Sequence, residues 1–200
     1  MSLLAAWLLF PLVLWVLALG CGLLLERASG ARMPGSLLAP AGIAAIIAVA
    51  GFTTWSDATA SLTVPAIVAL SVAGLMSGLW ERISRRAGLP LAATGLVFCA
   101  YAAPVVLSGQ ATFAGYIKLD DTATFLALTD RVMQHGHSLA GLMPSSYEAT
   151  LSVNLAHGYP VGALLPFGTA RALVGVDGAW VFQPYLAFLA AMLALVLLEL

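Results

Sequence analysis

The sequence predicts an all-α fold: a polytopic transmembrane helical bundle of about six apolar segments, with an extracytoplasmic loop that carries an interfacial amphipathic helix. Three observations predict it. Of 200 residues, 62% are hydrophobic and only 8% charged, at a mean hydropathy of +1.00. A soluble domain carries about a quarter charged residues, so this chain cannot cover a globule with polar groups. The apolar residues fall in runs close to the ~20 residues that a spanning helix needs. Polar residues gather instead in one long segment, 109–157. The lipid bilayer is therefore the first expected partner. With a net charge of −1 and no basic cluster, nucleic acid is excluded, because no set of cations could neutralise a row of phosphates. Cys21 and Cys99 both lie in apolar runs, where they read as small buried hydrophobes rather than a disulfide.

Run one covers about 3–25 and closes at Glu26-Arg27. Ala18-Leu19-Gly20-Cys21 has a loose likeness to a lipoprotein cleavage site. No Lys or Arg precedes the run, however, and its apolar character continues to Leu25, so it reads as a retained span. Run two covers about 37–54 and run three about 62–80, with Trp80 as an interfacial anchor. Run four covers about 89–108, and Pro104 should kink or end it. Basic residues then assign the sides. The loops after runs one and three hold Arg27, Arg32, Arg82, Arg85 and Arg86, whereas 55–61 holds no Lys or Arg. The arginine-bearing loops are expected in the cytoplasm, with the N-terminus and 109–157 outside a plasma membrane.

The polar segment opens on Gly115-Tyr116-Ile117-Lys118-Leu119-Asp120-Asp121-Thr122, the one place where two acids stand side by side. Beyond it, Phe125, Leu128 and Val132 recur at helical spacing, which predicts an amphipathic helix over 122–133 lying in the interface. Asp120 or Asp121 is its natural N-cap and Gly136 its stop. Residues 141–154 read as a Ser-, Thr- and Pro-bearing loop. His157-Gly158-Tyr159-Pro160 then turns into a short apolar stretch, broken or partly re-entrant, that ends near Gly175. Residues 178–200 form the last span. The chain thus reads as one membrane domain: four spans in 1–108, an outer loop over 109–157, and one or two further membrane helices in 158–200. Its apolar ending leads us to expect the N-terminal part of a longer protein.

Asp120 and Asp121 have a structural reading, as helix cap and dipole partner, worth about 1 kcal/mol or less each. They also have a chemical one. A carboxylate at a membrane face beside a like charge tends to hold its proton more tightly, which suits a general base toward a hydroxyl. Alternatively, one of the pair orients a divalent cation that bridges to a phosphate. The cofactor stays undetermined, with Mg or Mn as candidates. Lys118 and Arg131 either mark the headgroup level or meet a phosphate. His157 serves interfacial hydrogen bonding or a substrate phosphate, and Arg171 snorkels or approaches a lipid phosphate. His135 and His137 suit a helix C-terminus. No metal site is assigned, since neither Cys nor a further spaced His completes one.

An outer loop bearing Asp120-Asp121, an interfacial helix, and a His-Gly-Tyr-Pro turn ahead of the next membrane segment together resemble the C-type (GT-C) polytopic glycosyltransferases, which use polyprenyl-phosphate sugars. The resemblance covers about 115–200. It implies a sugar donor on a polyprenyl phosphate and a cell-envelope glycan, lipid or protein as acceptor. By that likeness Asp120 is the base and Asp121 its partner, with Lys118, Arg131, His157 and Tyr159 toward the substrate. Two features depart from the family pattern. Four apolar runs precede the acids rather than one, and Tyr159-Pro160 stands where Pro-Pro is usual. A transporter or flippase and a non-enzymatic membrane scaffold are the rival readings; the near absence of charge within the spans weighs against transport.

Overall fold

The computed structural model describes residues 2–82, 88–110 and 120–200, leaving out the side chains of 78–82, 88 and 120. Trp80, Arg82, Arg85 and Arg86 therefore lie outside the described side chains. Among the described residues every regular element is helical. A π-helical turn, Ala5–Leu9, leads into α1 (Phe10–Ser29); then come α2 (Gly35–Thr53), the single turn α3 (Asp57–Ala60), α4 (Thr63–Arg82) and α5 (Gly88–Val106). After 111–119 follow α6 (Asp120–His135), α7 (Ser146–Ala156), a 3-10 turn Val161–Leu164, α8 (Leu165–Val174) and α9 (Gly178–Leu197). The π turn has a local cause. Pro11 has no N–H to donate, and the turn ahead of it widens so that the Phe10 N–H reaches Ala5 O.

Five of these helices are long and apolar enough to cross a membrane: Ala5–Ser29, Gly35–Thr53, Asp57–Ser77, Leu89–Val106 and Gly178–Leu197. The chain is a multi-pass membrane protein. The sixth apolar segment, Val161–Val174, is shorter. The stretch expected to be a loop over 141–154 is corrected, because it contains α7. Ser145 caps that helix by accepting a hydrogen bond from the Glu148 N–H at 3.2 Å. Ser145 with Glu148 three residues on is the pattern of a capping box.

Lipid gives helices no hydrophobic reason to associate, so close backbone packing must hold them. Small residues provide it here. A Cβ on Gly42 of α2 would run into the Ala18 carbonyl of α1, one on Gly22 into the Leu38 carbonyl, and one on Gly74 of α4 into the Gly20 carbonyl. α1 is thus gripped from two sides, by α2 and by α4. α5 packs on α9, and α1, α2, α4, α6 and α9 surround α8.

The spans alternate in direction, which gives the bundle two ends. At one end the Ser36 hydroxyl, in the first turn of α2, donates to the Glu199 carboxylate just past α9. At the other, α6 sits on α3 and on the turn joining α2 to α4. The segment 159–177 enters and leaves at that second end. Gly162 lies against Ile47, six residues before Thr53, and Tyr185, seven residues into α9, donates its hydroxyl proton to the Ala163 carbonyl. At 1.5 Å per residue both place the tip about 10 Å below the helix ends, roughly a third of a ~30 Å hydrocarbon layer. Val161–Leu164 and α8 thus dip into the bundle from that end, and Leu165 to Ala170 are all buried.

Candidate functional site

α6 is built as an amphipathic helix whose buried face, Thr122, Leu128, Thr129 and Val132, rests on the bundle. It crosses α8 closely: a Cβ on Gly168 would lie 2.6 Å from Met133 Cγ and 2.9 Å from Thr129 Cγ2. Midway along, the Asp130 carboxylate pairs with the Arg171 guanidinium of α8. At its C-terminus Gly136 adopts a left-handed φ of 58°, and a Cβ there would meet Thr54 O at 2.6 Å. Glycine alone adopts that φ at no steric cost. Either side of it, His135 Nδ1 lies 3.1 Å from Asp57 Oδ1, and the His137 ring meets Trp55 edge-on at 5.7 Å. α6 is fastened at its middle and its far end.

Its N-terminus carries the acids, where the helix dipole favours negative charge. The backbone of Asp120 opens the helix, while its side chain lies outside the described residues. Asp121 is exposed. One helical turn on, the same face carries Phe125, whose ring packs on Tyr159 at 6.2 Å and on Phe182 of α9 at 6.3 Å. Phe125 thus ties the first turns of α6 to Tyr159 and to α9. His157 is exposed at the C-cap of α7, its Nδ1 2.6 Å from Val153 O. Lys118 lies outside the described residues.

Arg131 turns its guanidinium onto the chain that follows α6. It is 7% exposed, donating Nε–H to Ser138 O and Nη2–H to Ala140 O, each at 2.7 Å. Ten residues past Asp121, it stands about 15 Å away along the axis. It fixes the chain after α6 by satisfying two backbone carbonyls. Beside it, the phenol of Tyr147, although 41% exposed, is raised from its ordinary value, first by partial desolvation and further by the Asp130 charge, which Arg131 partly offsets. The composition of the segment hides these roles, since Asp130 and Arg171 are 41 residues apart; the one sequence signal is an arginine within an apolar stretch. Among the described residues no group of three His, Cys, Asp or Glu is placed to hold a metal ion.

Comparison with protein-family models, with curated proteins and with solved structures gives no match.

Proposed function

We propose that the chain is an integral-membrane glycosyltransferase of the GT-C kind, which moves a sugar from a polyprenyl-phosphate donor to an extracytoplasmic acceptor. A carboxylate of the Asp120-Asp121 pair takes the proton of the acceptor hydroxyl. The acceptor oxygen bonds to the anomeric carbon as the bond from that carbon to the phosphate oxygen breaks, and the electron pair leaves with the polyprenyl phosphate. Attack opposite the leaving group inverts the anomeric centre. Lys118 and His157 meet the phosphate in this reading, while Arg131 gives its Nε and Nη2 donors to carbonyls. In this reading the plasma membrane holds the bundle with the N-terminus and 109–157 outside.

One observation carries the reading. An amphipathic helix that begins at Asp120-Asp121 is packed over a short segment that dips into the bundle, at the bundle end opposite the loop of Arg27 and Arg32. That arrangement suits a lipid-borne substrate, whose reacting group sits at headgroup level while its tail stays in the bilayer. The test is transfer from radiolabelled polyprenyl-phosphate sugars by the purified chain in liposomes, with and without a chelator. Loss of one general base costs about 10²–10⁴-fold in rate, so D120N or D121N should lower transfer by that factor while insertion and melting temperature hold. Full activity in both variants would remove the proposed chemistry.

A further inference from the structure

The glycines that press α2 and α4 onto α1 leave a gap between those two helices, above α1. It forms an open groove of about 200 Å³ in which every lining residue is apolar, among them Cys21, Leu25 and Ala28 of α1, Ala45 and Val49 of α2, and Leu70 of α4. A water displaces ~30 Å³ and needs two or more polar partners; this groove offers no polar side chain. All three walls belong to spanning helices, so the medium against the opening is lipid hydrocarbon.

The groove has one charged end. Arg27 lies between the lining residues Leu25 and Ala28 along α1, after Glu26, and its Nη1 donates to the Ser77 carbonyl of α4 at 3.5 Å, seven residues beyond the lining Leu70. Arg32, in the adjoining turn between α1 and α2, is exposed. Among the described residues this end holds Arg27 and Arg32 with Glu26, and Glu199 at the same end accepts from Ser36.

We propose that this groove binds one acyl chain of an anionic glycerophospholipid, with the lipid phosphate at Arg27 and Arg32. The inference rests on the apolar groove and the charge at its end, and is independent of the sugar-transfer reading. Each arginine near an anionic headgroup is worth about fivefold in affinity.

Native mass spectrometry of the full chain released from nanodiscs tests it, with phosphatidylglycerol, phosphatidylcholine of the same chains, and a polyprenyl phosphate as probes. Phosphatidylglycerol should be retained at least about fivefold over phosphatidylcholine. R27Q/R32Q should abolish that preference and leave phosphatidylcholine retention unchanged. Ala45→Phe, and independently Ala28→Phe, should fill the groove and lower retention of both lipids; if neither filled variant keeps its melting temperature, the arginine variants decide. Equal retention of the two phospholipids by the unaltered chain would overturn the proposal. So would folded, filled variants that hold phosphatidylglycerol as before, or a preference for polyprenyl phosphate that R27Q/R32Q removes.

Discussion

The Arg171 guanidinium of α8 is paired with the Asp130 carboxylate of α6, so the only charge in α8 also fastens it to α6. Both groups are partly exposed, 21% and 42% by side chain, which places the pair between a surface bridge and a buried one. D130N or R171Q should each cost about 1–3 kcal/mol, near the lower end of what breaking a buried pair costs. Melting in detergent measures it. The swap D130R/R171D should recover part of the loss, and an unchanged melting temperature in both single variants would show the pair to be idle.

Arg131 and a substrate-binding arginine predict different things for a conservative change. As a clamp on the Ser138 and Ala140 carbonyls it needs its planar fork, which lysine lacks. R131K should therefore lose about 1–3 kcal/mol, the cost of leaving a buried acceptor unmade. The Michaelis constant for the donor should stay within about twofold, well under 1 kcal/mol of binding energy. A stable R131K with a much raised Michaelis constant would return Arg131 to the phosphate.

Glycines at the grip of α1 should be intolerant and others not. Gly42→Val drives a branched side chain into the Ala18 carbonyl and should cost about 3 kcal/mol or more through overpacking. Gly95 has open space around the position of a Cβ, so Gly95→Ala should be neutral or slightly stabilising, by up to ~1 kcal/mol. Equal melting temperatures for the two variants would contradict the packing described.

Alkaline pH should loosen the segment around α7 through Tyr147. Its phenol is raised in the folded chain by burial and by Asp130, so folding favours the neutral form. The sign follows: the stabilisation is complete below the ordinary tyrosine pKa of ~10 and is lost as pH rises through the folded value. Tyr147→Phe should flatten the fall in melting temperature above that pH. An equally steep fall in the variant would assign it to another group.

Much of this fold was legible in the sequence. The five spans follow from run length alone, and α6 follows from the spacing of Phe125, Leu128 and Val132. α7 was not read from composition, because Ser146, Thr150, Ser152 and Asn154 interrupt its apolar residues; Ser145 and Glu148 at capping-box spacing are the signal that marks its start. The depth of 159–165 depends on Tyr185 and Ile47, partners no local pattern names. The fate of Arg131 depends on backbone carbonyls, which carry no sequence signature. The acids were found because they are adjacent. The packing of Phe125 on Tyr159 needed α6 to meet the turn after α7.

Sidedness is what the proposed chemistry needs first, since a lipid-borne sugar at the outer leaflet must meet Asp120 and Asp121 there. Met143, 79% exposed beside α7, and Arg32, exposed at the opposite end, report the two faces once Cys21 and Cys99 are replaced. In intact cells a membrane-impermeant maleimide should label Met143→Cys and spare Arg32→Cys until lysis. The reverse pattern would put the acids in the cytoplasm and contradict extracytoplasmic transfer.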